Sequence, residues 1–293
     1  MNHRIGFIGA GKMGTALGLF FQEHGEQVAG YFSRSYESAK KAAAVTESAA
    51  FDQIATLIKE SDRIFLTVPD GQIKAVWDEI KDMPELTHKF LCHTSGSLSS
   101  EVFHGAESRE VETASLHPIC AIGNAEAYDA LNQAVFSLEG KESKACEALK
   151  EQLTSYGNVV VPVLKEHKML YHEACVVASN FLVGLSYLSE RMLMTCGFSE
   201  ETARSALLPL MKGSLLNIER LGSIEALSGP VERSDWQTLS GHLNALSSLD
   251  QEHAAFDISR ASNIYKQMSG LLLEAAQKKH PEKDYEACKE IVK

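Results

Sequence analysis

Three glycines at the spacing Gly9-x-Gly11-x-x-Gly14 close an apolar run of Ile5, Phe7 and Ile8 and open an amphipathic stretch from about Lys12 to His24. Glycine at that spacing lets backbone lie against a diphosphate. The first permits a tight turn, the second removes the Cβ that would strike the anion, and the third lets the helix pack on the strand. A helix beginning there aims free N–H groups and roughly half a positive charge at the same point. The backbone of Gly9, Ala10, Gly11, Lys12, Met13 and Gly14 is therefore read as a dinucleotide-binding loop. Glycine-rich turns are common, so the weight comes from the order of strand, turn and helix.

The second strand, VAGYF, runs into Ser33-Arg34-Ser35. An acidic residue at this point would accept hydrogen bonds from ribose hydroxyls, as NAD-type folds require, and none is present. Arg34 offers a planar fork for a 2′-phosphate, with Ser33 and Ser35 as further donors, so NADP(H) is the expected cofactor. The plainer reading makes Ser35 a helix N-cap and Arg34 a solvated charge. Val68-Pro69-Asp70-Gly71 follows the strand RIFLTV, and Thr94 follows FLCH. Val68, Pro69 and Thr94 thus stand where open α/β sheets hold ligands, outside the carboxyl ends of strands.

Two strand ends carry groups suited to proton transfer: His93-Thr94-Ser95-Gly96-Ser97 and Ser115-Leu116-His117-Pro118. An imidazole titrating near pH ~6.5 suits proton donation to a nascent alkoxide, which makes His117 the first candidate. A buried histidine tied to backbone is the competing reading. Ser95 is a candidate to bind a substrate carbonyl or carboxylate, or else to cap a turn. Further along, Lys168 and His172 are i,i+4 neighbours and Ser179 lies near their stripe. Asn180, polar in an apolar stretch, must find a partner, because an unpaired buried amide costs roughly 1–3 kcal/mol. In GPVERSDWQTL, Ser234 and Gln237 spell a capping box, Asp235 suits a first helical turn, and Arg233 is free to clamp a carboxylate. His172 and Asn180 join His117 as candidate catalytic groups, and Ser95, Lys168, Arg233 and Asp235 are candidate substrate contacts. His242 and Trp236 read as packing residues.

The elements that must position these groups follow from hydrophobic periodicity. Short apolar runs alternate with helical patterns to about Leu164, the signature of a doubly wound, mainly parallel α/β sheet of Rossmann type. Strands are expected at residues 5–8, 28–32, 63–68, 90–93, 113–116, 135–138 and 159–163. Helices are expected at 35–44, 51–60, 72–82 and 143–156. Past Val163 the pattern becomes wholly helical, which divides the chain into 1–164, a nucleotide-binding domain, and 165–293, an all-α substrate and dimerisation domain. Helices are expected at 167–196, 199–218, 234–247 and 250–276, with a short tail after Pro281. The first of these is apolar on nearly every face, so a homodimer is expected to enclose it.

Composition excludes several classes. With 293 residues, 44% of them apolar, the chain can bury a sizeable core, and its formal net charge of −11 without any basic block argues against nucleic acid. Six scattered cysteines form no CxxC pair, so reduced thiols and no metal are expected. The longest apolar segment, 174–188, is broken by Ser179, Asn180 and Ser186, which speaks against a membrane span. The opening residues enter a strand without a basic segment ahead of an apolar one, and a cytoplasmic protein is expected.

Together GFIGAGKMG, the Ser-Arg-Ser after the second strand, VPD, HTSGSL, SLHPI, YHEACVVASNFLVGL and GPVERSDWQTLSGHL resemble a bacterial family that joins an NADP-type Rossmann domain to a helical domain long of unknown function. The resemblance spans nearly the whole chain. The family is similar to 6-phosphogluconate dehydrogenase-like reductases, among them ketopantoate reductase, pyrroline-5-carboxylate reductase and prephenate dehydrogenase. Some of its members are alternative ketopantoate reductases, which implies reduction of 2-dehydropantoate by NADPH in pantothenate synthesis. Two departures stand out. Ordinary ketopantoate reductases carry a lysine four residues before the helix asparagine, where this chain has Val176, so Lys168, His172 or His117 must take its part. Members commonly read Arg-Gly-Asp where this chain has Arg233-Ser234-Asp235. Reduction of a cyclic imine of the pyrroline-5-carboxylate kind, and a non-catalytic NADP-binding redox sensor, are the alternative expectations.

Overall fold

The computed structural model describes residues 3–123 and 128–293. Its elements are β1 (Arg4–Ile8), α1 (Lys12–Glu23), β2 (Gln27–Phe32), α2 (Tyr36–Val45), β3 (Ala49–Phe51), α3 (Ile54–Lys59), β4 (Arg63–Leu66), α4 (Asp70–Ile80), β5 (Phe90–His93), β6 (Glu112–Ile119), α5 (Asp129–Asn132), β7 (Val135–Gly140), α6 (Lys144–Ser155), β8 (Val159–Pro162), α7 (Lys168–Thr195), α8 (Glu200–Glu225), α9 (Trp236–Ser247), α10 (Ile258–Lys279) and α11 (Glu286–Val292). The strands form one sheet in the order β3-β2-β1-β4-β5-β6-β7-β8. All neighbours run parallel except β6 and β7.

Alternation along the strands sorts side chains into two cores, one on each face. Ile5 and Phe7, Phe65 and Cys92 join Phe20, Phe21, Leu149 and Leu153 on one side. Ile8, Ile64, Leu66 and Leu91 join Leu57, Ile73, Trp77 and Phe103 on the other. Both faces of the central strands are covered, which is why those strands read as continuous apolar runs.

Contacts divide the chain into two compact units, Met1–Ser179 and Asn180–Lys293. The first turns of α7 are tied to the sheet. Lys168 bonds Ser115 of β6, and Tyr171 bonds His117 of the same strand. In the second unit α9, α10 and α11 pack Leu239, Leu273, Ala276 and Cys288 with Val231 and Tyr285 into a small core.

Several boundaries differ from the sequence expectation. The edge strand β3 is only three residues long and alanine-rich, too little pattern to read, and the helix expected at 51–60 shrinks to α3. Asp257, not Asp250, starts α10, its carboxylate accepting from Arg260 N at 2.9 Å. The supposed tail folds as α11. The start of α9 is also displaced: Asp235 is the cap, accepting from Thr238 N at 3.0 Å. Ser234 instead sits at φ 59° and donates to Asp284 O at 2.6 Å.

Candidate active site

The glycine loop stands at the carboxyl end of β1, held by Gly9 N–H to Phe32 O at 2.8 Å and Thr67 Oγ1–H to Gly9 O at 2.8 Å. Gly9 takes φ 114°, a conformation few other residues adopt. A Cβ on Gly14 would lie 2.4 Å from Gly9 O, whereas one on Gly11 would meet nothing within 4 Å. The fold itself therefore requires glycine at 9 and 14. At 11 glycine serves something outside the chain, which is the cradle a diphosphate needs.

Gly11 caps α1 without a side-chain hydrogen bond, so the N-terminal amides after it stay available. The half-buried Ala10 and Met13 pack on the core beneath, and Lys12 is exposed. Beside the loop lies a cleft of about 310 Å³ lined among others by Gly9, Ala10, Gly11, Ser33, Arg34, Val68 and Pro69. Arg34 is exposed at its rim, and Ser35 Oγ caps α2 by accepting from Ser38 N at 3.4 Å. Thr94 N–H continues the sheet by bonding Leu66 O at 3.2 Å. These residues fit a dinucleotide with a charged group near Arg34.

Past the cleft, β5 and β6 end in a buried polar cluster. His93 donates through Nε2 to Ser99 O at 3.2 Å and accepts Ser95 N–H on Nδ1 at 3.2 Å, and burial pushes its pKa down to about 4. It is an anchor for the loop. Ser95, read from the sequence as a substrate contact or a turn cap, caps the turn here. Its Oγ donates to Asp70 Oδ2 at 2.6 Å and accepts from Ser97 N at 3.2 Å and Leu98 N at 3.0 Å, the full capacity of a hydroxyl.

Lys168 is 1% exposed, and its Nζ donates to Ser95 O at 3.1 Å and Ser115 Oγ at 2.7 Å, so it braces two strand ends. Burial lowers its pKa, while Glu139 and Asp70 act the other way.

His117 is half-buried one strand over. Burial first, then the charges of Lys168 and His172, bring its pKa down to about 4, with Asp70 opposing. At neutral pH the ring is uncharged, unlike the near-neutral titration expected from sequence. Its Nδ1 lies 2.7 Å from Tyr171 Oη. The rings of His117 and His172 stand edge to face with centroids 6.0 Å apart. A Cβ on Gly96 would lie 3.1 Å from His117 Nε2 and 2.6 Å from His172 Nδ1, so both nitrogens border the space that glycine leaves empty. His172 Nδ1 is buried without a partner among the described residues.

The structure thus brings together His117, His172, Lys168, Ser95 and a residue passed over in the sequence, Tyr171. Its signal was present, since it is i+3 from Lys168 on the same helical face. Asn180 is exposed on α7 and falls in the second unit. Arg233 is exposed there too. Asp235 caps α9, its carboxylate accepting from both Thr238 N–H and the Thr238 hydroxyl, at 3.0 and 2.7 Å. Among the described residues no helix is long and apolar enough to cross a membrane.

Comparison with known proteins gives two family matches and a shared fold. Residues 4–94 match the family described as NADP oxidoreductase, coenzyme F420-dependent, and residues 134–271 match the domain of unknown function DUF2520. Protein TM1727 from Thermotoga maritima is similar over 94% of this chain and 99% of its own, at 28% identity and a TM-score of 0.73. An imine reductase from Myxococcus stipitatus in complex with NADP+ shares the fold over 99% of this chain and 100% of its own, at 16% identity and a TM-score of 0.62. Pyrroline carboxylate reductase from Plasmodium falciparum, with NADP bound, does so over 95% and 97%, at 16% and 0.56. No curated protein matches. On a Rossmann-type sheet, the chain thus matches an NADP oxidoreductase model in its first part and a DUF2520 model after it.

Proposed function

We propose that this NADP-type oxidoreductase reduces the carbonyl of a small 2-oxo acid with NADPH, 2-dehydropantoate first among candidates. The observation that carries the reading is the succession along one sheet edge: the open glycine cradle, the Arg34 rim, and then two imidazole nitrogens facing the space beside Gly96. NADPH, when bound, supplies the hydride. The amides from Gly9 to Gly14 hold the pyrophosphate, and Ser33, Arg34 and Ser35 meet the 2′-phosphate. Val68, Pro69 and Thr94 wall the path toward the reacting end. His117 delivers the proton from Nε2, and His172 holds the substrate oxygen beside it.

A second reading is favoured by one observation. With its pKa near 4, His117 carries no charge at neutral pH, and a cyclic iminium arrives already protonated and asks for no acid. A screen of 2-oxo acids and cyclic imines for NADPH oxidation, on wild type and His117→Gln, separates the two. Ketone reduction should fall about a hundredfold or more in the variant, in line with loss of a general acid, whereas imine reduction should persist. Cofactor binding without turnover of either class would leave only a redox sensor.

The proposal includes a second copy of the chain. Lys168 is the only buried residue in α7 and Ala203 the only one in α8 among the described side chains. Phe181, Val183, Leu210 and Leu216 are each more than half exposed on those helices. Large apolar side chains exposed together along helices mark a contact surface, and pairing of like helices in a homodimer covers it. Sedimentation showing a monomer at micromolar concentration would remove this part.

A further inference from the structure

We infer that Tyr171 is the positioning residue of proton delivery: its hydroxyl donates to Nδ1 of His117, fixes the proton of that ring on Nε2, and replaces it as Nε2–H is given away. The inference deepens the 2-oxo acid reading and rests on it for its kinetic half. Its structural half, which ring nitrogen carries the proton, is tested without any substrate.

The 2.7 Å separation of Tyr171 Oη and His117 Nδ1 is a hydrogen bond whose direction the tautomer of the ring decides. An uncharged imidazole has one N–H. If Nδ1 carried it, Nε2 would face the space beside Gly96 as an acceptor, with His172 Nδ1 close by and nothing to give a developing alkoxide. With the hydroxyl donating, Nε2–H points into that space as a donor. The helix sets this up: Lys168 is pinned to Ser95 and Ser115, which fixes the turn that carries Tyr171 one residue ahead of His172.

The atoms balance without an outside acid. Hydride from NADPH forms the new C–H bond and the carbonyl π pair moves to oxygen, so the substrate is reduced and NADPH oxidised. The alkoxide takes the proton from His117 Nε2 as Nδ1 takes the proton of Tyr171, which leaves a phenolate. Water restores the hydroxyl after product departs. The direction is downhill, because an alkoxide is far more basic than a phenolate, even one whose conjugate acid burial has raised to about 12. Lys168 Nζ, 5.7 Å from the Tyr171 ring centroid, lowers the cost of the phenolate. Ser137, paired with His117 in the sheet register, acts on the Tyr171 hydroxyl in the same sense, and Cys175 opposes.

The test has two arms. In the first, histidine 15N chemical shifts are recorded on the full-length apo protein at neutral pH, with His117 assigned through His117→Gln. The expected result is a His117 protonated on Nε2 alone in wild type and a mixture of tautomers in Tyr171→Phe. A wild-type ring protonated on Nδ1 overturns the inference even if the variant fails to fold. In the second, Tyr171→Phe should lower kcat about tenfold to a hundredfold on whichever 2-oxo acid is accepted, with KM little changed. Its solvent-isotope proton inventory should pass from a two-proton to a one-proton form. Unchanged kcat and inventory would overturn the relay. If no 2-oxo acid is turned over, the functional reading falls while the 15N arm still decides whether Tyr171 sets the tautomer.

Discussion

Acidification should unfold the sheet-bearing unit well above the pH at which carboxylates protonate, and two imidazoles set the size of the effect. His93 and His117 are both brought down to about 4, each chiefly by burial. In the unfolded chain both titrate near pH ~6.5. Between those values the unfolded state binds protons that the folded state refuses, so stability rises with pH there and is lost as pH falls from about 6.5 to about 4. Each ring contributes about 3 kcal/mol at roughly 1.4 kcal/mol per pH unit, so together they remove about 6 kcal/mol, a large part of an ordinary domain's stability. Urea titrations at pH 7.5, 6, 5 and 4 in a Trp236→Phe background read this through Trp77, which is 1% exposed in the sheet core. The carboxylate of Asp78 is held down to about 2 by Lys74 and Lys81, so its protonation falls below this window. The double variant His93→Gln, His117→Gln should lose most of the slope between pH 6.5 and 4. An equal slope in that variant would refute the argument.

The glycine loop separates folding from binding. Gly14→Ala, with its Cβ 2.4 Å from Gly9 O, should cost about 1–3 kcal/mol of stability. Gly11→Ala, opening on empty space, should change stability by no more than about 0.5 kcal/mol yet abolish NADPH binding in calorimetry. Arg34→Ala should weaken NADPH about ten- to a hundredfold, the worth of a charged hydrogen bond, and leave NADH affinity unchanged; equal losses for both coenzymes would remove Arg34 from the 2′-phosphate. Lys168→Met deletes a charge that depresses His117, so the imidazole pKa followed by NMR should rise, and a fall would contradict the electrostatics.

How far the sequence carried depended on whether the deciding interactions are local. Strand, glycine turn and helix over the first two dozen residues are specified by neighbours in the chain, and they are as expected. The paired faces of the sheet follow from period-two alternation at Ile64, Phe65 and Leu66. Asp257 and Asp235 capped their helices where other residues had been expected, because several nearby groups are able to cap and tertiary contacts choose among them. Ser95 and Lys168 are the instructive cases. Each has the chemistry of a ligand contact, and each also bonds a partner distant in sequence that no spacing announces, Asp70 for one and Ser115 for the other. Tyr171 escaped notice because a lone tyrosine on a helix carries no mark until the strand bearing His117 lies against it. The pKa of His117 likewise depends on burial, which no spacing encodes.

The reversal of β7 against β6 has a practical bearing on protein engineering. It sends the chain at Gly140 to the opposite rim from the glycine loop and the histidines, and Lys141 and Glu142 beyond it are exposed. A reporter peptide or affinity handle spliced between those two residues would therefore leave the chemical rim undisturbed, which makes this turn the natural attachment point for following the enzyme without altering it.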